Sequence, residues 1–262
     1  MGSYAVSLYP ILKAIKNMGR ITLTNDKQTK FVEKYLAFDD LIHIPELQVW
    51  TSSDAGKLNQ RLTGHGYQSQ FPPFGVDQFG ILSLLEIALQ WLHAGKSKTI
   101  KAQNGKQYSG VHLDEADMPI SVYRSWQHSH DVVSWRTKDN LTTVSVSFAD
   151  RPLLGFALFD YVAGIEVGRS IIEYSGVVFP RVSLHCIENM QWLVNMQVGH
   201  SRVAQVTQEN IIKMDEHGME VKSATEIVMI AMSAVALPVA PQPYIIDRPF
   251  YLWLSRSGCS LP

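Results

Sequence analysis

The sequence predicts a single α+β domain over residues 1–262, with helices in the N-terminal part and mostly antiparallel strands later. Apolar residues between Ser3 and Met18 recur at helical spacing, which is typical of a helix with one buried face. After Tyr123, segments rich in Val, Thr and aromatic residues alternate with turn residues, as in hairpin-connected strands. A strand pattern, a loop-like tract and a further apolar strand then end the chain.

The composition is that of an ordinary globular protein. The chain has 262 residues, 46% hydrophobic content and a net charge of −1, which is enough to build one sizeable core. The near-neutral charge gives no basic surface for nucleic acid or an anionic membrane. The longest apolar stretches are too short or too interrupted to cross a bilayer. Only two cysteines are present, which argues against a framework of disulfides.

The first predicted elements are one helix and one ambiguous segment. The helix covers Ser3 to Met18, and Gly19 supplies its natural end. The stretch from Ile81 to Leu92 fits two periods, a helix or a half-buried strand. In a helix, Leu82, Leu85 and Leu89 would be buried on one side. In a strand, Ile87, Leu89 and Trp91 would lie on one face.

The second half of the chain predicts several strands. Three segments have the composition of strands that pair as hairpins: Val132 to Trp135, Thr142 to Phe148, and Leu153 to Phe159. A short helix is predicted over Ile187 to Val198, because Met190, Leu193, Val194 and Val198 share one helical side.

A strand pattern around residue 220 is the most informative part of the chain. From Met219 every second residue falls on one side, and the charged residues fall on the other. The first side carries Met219, Val221, Ser223, Thr225, Ile227 and Met229, and the second carries Glu220, Lys222, Ala224 and Glu226. The segment follows Gly218 and continues into a small, loop-like tract at Ala231–Ala236. A strand joined to an exposed loop suggests a segment that moves.

These residues resemble the serpin family. Ile211–Glu220 is similar to the serpin strand and hinge before the reactive-centre loop, and Ser223–Thr225 to its small-residue run. Val203–Val206 resembles the start of that strand. Asp247–Leu254 is similar to the Asp-His-Pro-Phe signature with the strand after it, and Phe179–Val182 resembles the Leu-Pro-Lys-Phe strand start. The resemblance covers residues 177–262 best and weakens toward the N-terminus.

The resemblance implies a fold with a large, mostly antiparallel sheet, helices and an exposed reactive-centre loop, and it favours a central strand over a helix for Ile81 to Leu92. Serpins are suicide substrates: a protease cuts the loop, and the hinge then enters the sheet as an extra strand. The implied hinge comprises Glu216, Gly218, Met219, Glu220, Val221, Lys222, Ser223, Ala224 and Thr225. Asp247, Arg248, Pro249 and Phe250 would be structural. The chain is shorter than a typical serpin, so a natural miniature, a truncated product and a diverged relative are all open.

The family's spacing places the scissile bond at Met232–Ser233. The apolar Met232 would suit the hydrophobic primary pocket of a chymotrypsin- or elastase-like serine protease. No Arg or Lys lies between Glu226 and Tyr244, which disfavours a trypsin-like target. The resemblance further implies a monomer located outside the cell, without cofactor, metal or catalytic residues, although the N-terminus shows no secretory signal.

Two other functions are open. The first is a non-inhibitory serpin-like binding or carrier protein, because Met219, Val221 and Lys222 are bulkier than the family's usual hinge residues. The second is an unrelated enzyme built around His128 and His130, which alternation places on one strand face. Exposed polar strand residues are the simpler interpretation of those histidines.

Overall fold

The computed structural model describes residues 19–35, 46–124, 130–151, 153, 157–163, 165, 168–169, 174–223 and 242–256. Three α-helices lie in this part: Asp26–Tyr35 (α1), Ala55–Gly64 (α2) and Ala157–Ala163 (α3). A 3-10 turn covers Gln191–Leu193. Among the described helices, none combines the length and apolar character needed to cross a membrane. The helix predicted for Ser3 to Met18 falls outside the described residues.

Most of the fold is strand. The first nine strands are Ile21–Thr22 (β1), Leu47–Ser52 (β2), Gly80–Gln90 (β3), Lys96–Lys101 (β4), Gln107–Asp114 (β5), Ile120–Arg124 (β6), Asp131–Arg136 (β7), Thr142–Phe148 (β8) and Gly168–Arg169 (β9). The remaining eight are Gly176–Pro180 (β10), Val182–Asn189 (β11), Gln197–Val198 (β12), Ser201–Arg202 (β13), Thr207–Met214 (β14), Gly218–Ser223 (β15), Tyr244–Ile245 (β16) and Phe250–Arg256 (β17).

The strands form three substantial sheets and one small one. The central sheet has the order β11-β14-β15-β3-β2, and all its neighbouring strands are antiparallel. The C-terminal sheet has the order β17-β8-β7-β6-β9, and the four-stranded sheet has the order β16-β10-β5-β4. Strands β1, β12 and β13 form a separate three-stranded sheet. The predicted α+β class with a large antiparallel sheet is therefore confirmed.

Strand β3 resolves the ambiguity of the segment from Ile81 to Leu92 in favour of a strand. It is covered on both faces, so apolar residues occupy both sets of alternating positions. Leu82 and Leu84 pack with Leu58 and Leu62 of α2, whereas Leu89 faces a larger core on the opposite side of the sheet. Burial on both sides produces the continuous apolar run that also fits a helical period.

That larger core lies where the three substantial sheets meet. Each of the three sheets contributes five buried residues. Those of the central sheet are Leu89, Ile212, Met214, Met219 and Val221, and those of the four-stranded sheet are Val111, Leu113, Val177, Phe179 and Tyr244. Those of the C-terminal sheet are Val122, Val133, Trp135, Val144 and Val146. The rings of Trp135 and Phe179 stack at 6.0 Å with an interplanar angle of 8°. Trp91 meets both rings edge-on. The central sheet is thus fixed to the other two through one of its faces.

Helix α2 covers the opposite face of the central sheet. The side chain of Asp54 accepts a hydrogen bond from Gly56 N at 2.9 Å and so caps the helix. At Gly80, the first residue of β3, an added Cβ would lie 2.7 Å from Leu58 and 2.6 Å from Phe74. The helix and the segment that follows it therefore pack closely onto the start of β3.

Two predictions of local structure are wrong in the second half of the chain. The segment Ile187 to Val198 is not one α-helix. Its first three residues, 187–189, end β11 and pair with β14 as far as Asn189↔Thr207, so sheet pairing outweighs the helical spacing there. The rest contains the 3-10 turn Gln191–Leu193 and the short strand β12. The residues from 157 to 159 belong to α3 rather than to a strand. Its Tyr161 packs on Tyr251 of β17, with ring centroids 4.8 Å apart.

The other strand predictions near β7, β8 and β17 are confirmed. β8 pairs with β7 on one side and with β17 on the other, so the three strands form the core of the C-terminal sheet. Between β7 and β8, one carboxylate oxygen of Asp139 accepts hydrogen bonds from the backbone N–H groups of Leu141 and Thr142. Burial opposes ionisation of this carboxyl, but these hydrogen bonds prevail and lower the pKa of Asp139 to about 2.

An ion pair joins the end of the C-terminal sheet to the edge of the central sheet. The guanidinium of Arg256 in β17 donates two hydrogen bonds to the carboxylate of Glu46, at 2.6 and 2.8 Å. Glu46 immediately precedes β2, so the contact links segments that are 210 residues apart in the chain. The hydrogen bonds from Arg256 outweigh the effect of burial and hold the pKa of Glu46 below its ordinary value of 4.5.

The variant Glu46→Gln should lower the free energy of unfolding at pH 7 by about 1 to 2 kcal/mol, because a paired hydrogen bond to a charged group is lost. A carboxyl with a depressed pKa stabilises the fold above its ordinary value of 4.5 and loses that effect as the pH falls through the lower folded-state value. Urea unfolding at pH 7 and at pH 3 measures this. An equal difference between the two proteins at both pH values would contradict the ion-pair account.

Candidate functional site

The candidate site is the hairpin formed by β14 and β15, which contains the predicted hinge. The hairpin closes at Asp215, whose backbone N–H donates to the Gly218 carbonyl at 3.0 Å. The Asp215 carboxylate accepts hydrogen bonds from the N–H groups of His217 and Gly218, at 2.8 and 3.2 Å. This aspartate thus organises the turn that sends the chain back into the sheet. The strand predicted to begin at Val203 begins instead at Thr207.

Strand β15 is an interior strand of the central sheet. On one side it pairs with β14, from Met214↔Met219 to Asn210↔Ser223. On the other side it pairs with β3, from Gly218↔Gln90 to Ser223↔Leu85. Because both edges are paired, β14 and β3 are separated here by the width of one strand. Residues 218–223 therefore lie where an added strand would sit in the sheet.

The side chains of Met219, Glu220 and Val221 alternate between the two faces as predicted. Met219 and Val221 are only 4% and 7% exposed and belong to the core shared by the three sheets. Glu220 faces the other side, where its carboxylate lies 3.4 Å from Lys213 Nζ. The remaining predicted site residues, Ala224, Thr225, Met232 and Ser233, lie outside the described part of the chain, and their roles stay predictions.

Gly218 is required by a close approach of two backbones. A Cβ at this position would lie 1.9 Å from the carbonyl oxygen of Leu89 in β3. The same turn is held by Trp91, whose backbone N–H donates to the His217 carbonyl at 3.0 Å and whose indole N–H donates to the Asp215 carbonyl at 2.7 Å. The hairpin is thereby attached to the end of β3 at several points.

Glu216 makes a second attachment, to the four-stranded sheet. Its carboxylate accepts a hydrogen bond from Arg181 at 2.8 Å, and Arg181 also donates to the hydroxyl of Ser97 at 3.0 Å. The Glu216 carbonyl accepts from Gly95 N at 2.7 Å. Sequence reasoning missed Trp91 and Arg181 as hinge contacts. Their only sequence signals are their positions at the end and the start of predicted strands.

Next to the end of β15, the described residues border a cavity of about 840 Å³. One wall is the first half of β3, Gly80–Leu84, and the opposite wall is the chain from Val203 to Glu209. These are the segments that continue past Ser223 on either side, because Ser223 pairs with Leu85 and Asn210. The cavity therefore lies in line with β15.

The segment after α2 forms a third wall of the cavity. Ser69, Gln70, Phe71 and Phe74 line it. Phe71 is tied to α2 through Asn59, whose side chain accepts from Phe71 N at 2.7 Å and donates to Phe71 O at 2.9 Å. This side of the cavity consequently belongs to the layer that covers the central sheet.

Glu209 of β14 is a buried carboxylate that binds this covering segment. It is 1% exposed, and it accepts hydrogen bonds from the backbone N–H groups of Gln68 and Ser69 at 2.6 to 3.0 Å. His185 of β11 lies 2.7 Å from the same carboxylate. Burial alone would raise the pKa of Glu209, but the hydrogen bonds from Ser69, Gln68 and His185 prevail and keep it below its usual range.

The predicted signature residues make structural contacts. The guanidinium of Arg248 donates to Asp247 at 2.8 Å and lies 4.4 Å from the centre of the Phe148 ring. The Pro249 carbonyl accepts a hydrogen bond from Ala149 N at 2.9 Å. Phe250 packs against the core and is the first residue of β17. These contacts align β17 with β8.

The histidines considered for metal binding gain no support. His130 Nε2 lies 2.6 Å from the Asp150 carboxylate, and His128 is outside the described residues. Nowhere in the described ranges do three His, Cys, Asp or Glu side chains gather as metal ligands would.

Comparison with known proteins identifies the fold. No protein-family model matches the sequence, and no curated protein is similar to it at a significant level. Solved structures do match. Serpin48 from the insect Tenebrio molitor aligns with a TM-score of 0.56 and 12% identity, over 99% of this chain and 94% of that one. Cleaved Serpin 42Da aligns with a TM-score of 0.60 and 9% identity, over 99% and 93%.

A third match is the thermophilic serpin tengpin in its latent state, with a TM-score of 0.55 and 9% identity, over 100% of this chain and 87% of that one. These matches extend over nearly the whole chain in each case. The protein therefore has a serpin-like fold, which confirms at the level of fold the resemblance found in residues 177–262.

The variant Gly218→Ala should lower the free energy of unfolding by about 1 to 3 kcal/mol, because the new methyl group would overlap the Leu89 carbonyl. The strand should also separate locally from β3, so the amides of Met219 to Ser223 should exchange faster with solvent. Gly64→Ala is a matched control, since an added Cβ there meets nothing within 4 Å. Equal behaviour of the two variants would contradict the close approach.

Proposed function

We propose that this protein inhibits serine proteases as a suicide substrate, through a mobile loop that is cut at Met232–Ser233 and enters the central sheet. The observation that carries this proposal is the position of β15 between β14 and β3. That strand leads directly into the proposed loop. A hinge that pairs on both sides within the sheet is the starting point from which a released loop can continue.

The chemistry is that of an interrupted hydrolysis. The protease serine attacks the carbonyl carbon of Met232, the amino group of Ser233 leaves, and Met232 is joined to the protease as an ester. Cutting frees the chain before Met232 from its attachment beyond Ser233. Residues 224–230 then extend β15 between Gly80–Leu84 and Val203–Glu209, through the cavity in line with the strand. The acylated protease is carried with Met232.

The continuing alternation supports this path. On extension in register, Thr225, Ile227 and Met229 would share the face of Met219 and Val221. Burial of Ile227 and Met229 would contribute about 1.5 to 3 kcal/mol each before ordering costs. New backbone pairing on both edges adds to this. The proposal requires these gains to exceed the cost of ordering residues 224–230, and it requires extension to be faster than hydrolysis of the ester.

A non-inhibitory binding or carrier function is the second candidate. It is favoured by the bulk of Met219 and Val221, both of which the central sheet buries. Larger side chains at the front of an entering strand should slow its passage between two neighbours, since more contacts must rearrange. Slow entry would let the ester hydrolyse, and the protein would then behave as a substrate.

Incubation with chymotrypsin and with elastase tests the proposal directly. An inhibitor should give an adduct that survives denaturing gel electrophoresis and contains the protease joined through Met232. Mass spectrometry of the adduct identifies the bond. Clean cleavage after Met232 without an adduct would reject inhibition and favour the binding or carrier function.

The variant Ile227→Asp should reduce the adduct at least about tenfold while cleavage continues, because an unpaired carboxylate would have to be buried when residues 224–230 extend β15. The control is Glu226→Gln, which changes the neighbouring residue on the other face and should retain the adduct. Densitometry of adduct and cleaved chain measures both products. If the two variants give the same ratio of adduct to cleaved chain, burial of the odd-numbered face is not required for inhibition.

A further inference from the structure

We propose that the cavity beside β15 binds an elongated, apolar carboxylic acid that carries a hydroxyl or carbonyl group at its far end. The carboxylate pairs with Arg202, the apolar body lies along the walls, and the far polar group forms a hydrogen bond with the hydroxyl of Ser83. This inference deepens the second candidate function, binding, by naming a ligand class. It depends on no step of protease inhibition, because the site belongs to the intact protein.

The walls of the cavity suit an apolar molecule. They belong to the segment after α2, to β3 and to the chain before β14. The volume of about 840 Å³ falls within the range of cavities that hold small organic ligands. An apolar ligand would cover the exposed parts of six half-buried apolar residues that line it: Phe71, Phe74, Phe79, Ile81, Val203 and Val206.

Ser83 supplies a hydroxyl that a ligand can bind. The residue lines the cavity and is only 7% exposed. Its Oγ atom is buried and has no hydrogen-bond partner among the residues that the structure describes. A buried hydroxyl without a partner costs free energy, and a ligand group that accepts or donates a hydrogen bond would recover it. Ser83 therefore marks the position of a polar group of the ligand.

Arg202 supplies a positive charge at the cavity. It is an exposed lining residue in β13, and its guanidinium donates to the side-chain oxygen of Asn195 at 3.2 Å. In the described part of the chain, the arginines that pair with a carboxylate are Arg181, Arg248 and Arg256, and Arg202 is not among them. Since a planar guanidinium can bind a carboxylate through two parallel N–H groups, Arg202 suits an acidic ligand.

The register of the sheet separates these two polar positions along the cavity. Ser223 pairs with Leu85 of β3 and with Asn210 of β14. Two residues further along both strands, Ser83 is therefore level with residue 208. Arg202 precedes residue 208 by six positions, and six residues of extended chain span at most about 22 Å. The ligand thus needs an apolar body of roughly this length or less between its two polar groups.

The charges along the cavity decide which way the ligand lies. Glu209 follows residue 208 directly, so its buried carboxylate is close to the level of Ser83 and would repel a second carboxylate there. A neutral hydroxyl or carbonyl is compatible with that end. Asp77 also lines the cavity, but it is exposed, so solvent screens its charge. The acid group of the ligand therefore binds at Arg202 and the neutral group at Ser83.

The test compares two probes, palmitic acid and its omega-hydroxylated form, by isothermal titration calorimetry on the intact chain. Both should bind, and the omega-hydroxylated acid should bind about threefold to tenfold more tightly, because its far hydroxyl bonds with Ser83. In the variant Ser83→Ala this preference should disappear. Three results would overturn the proposal: no binding of either probe, equal affinities in the unmodified protein, or an unchanged preference in Ser83→Ala.

The variant Arg202→Gln tests the charged end and holds even if Ser83→Ala does not fold. It should weaken binding of both probes about threefold to tenfold and remove the loss of affinity that added salt causes, because an exposed ion pair is screened by salt. Arg20→Gln is the matched control, since Arg20 is an exposed arginine next to β1 that does not line the cavity. Unchanged affinity in Arg202→Gln, or equal weakening in both variants, would contradict the proposed site.

None of these measurements uses a protease, so the two proposals can fail separately. Absence of the covalent adduct together with selective binding of the omega-hydroxylated acid would reject inhibition and support the ligand site. A normal adduct without binding of either probe would reject the ligand site and leave inhibition in place.

Discussion

Backbone pairing on both edges of β15 is the constraint on which the rest of this structure depends. An interior strand must have its N–H and C=O groups matched on each side, because buried unpaired groups are costly. Residues 218–223 meet this requirement by pairing with β14 and β3. The same pairing turns Met219 and Val221 into the core, brings Gly218 against Leu89, and sets the spacing between the flanking strands.

The two faces of the central sheet are covered in different ways. One face is fixed to the other two sheets by a shared core that includes Trp91 and Phe179. The other face is covered by α2 and the segment that follows it, which reach the sheet partly through the ion-paired or hydrogen-bonded carboxylates Glu86 and Glu209. The attachment on this second face is therefore partly polar, whereas the attachment on the first face is an apolar core.

Local patterning predicted the elements whose side chains follow one clear period. The alternation from Met219 predicted β15 and both its faces as far as Val221, and the composition of β7 and β8 predicted their pairing. The helix predicted for Ile187 to Val198 was wrong, because its first three residues pair with β14 and the rest contains a 3-10 turn and the short strand β12. The secondary structure of an apolar run that fits two periods, as in β3, can be decided only when it is known which of its faces are covered.

The contacts of the site could not be predicted from sequence for a related reason. Gln68 and Glu209 are separated by 141 residues, and Arg181 and Glu216 by 35, so no local pattern links them. Each of these side chains resembles an ordinary surface residue when it is considered alone. What makes Glu209 distinctive is its burial among donors, which only the folded chain creates.

The most direct test is the melting temperature of the protein before and after a single cut in the loop near Met232. Extension of β15 would bury Ile227 and Met229 and add about 3 to 6 kcal/mol before ordering costs. At about 2 to 4 °C per kcal/mol for a chain near this size, the melting temperature should rise, by roughly 6 to 24 °C before the ordering cost is subtracted. A cut protein that melts at the same temperature as the intact one, or lower, would contradict the claim that this segment has a second, more stable position in the sheet.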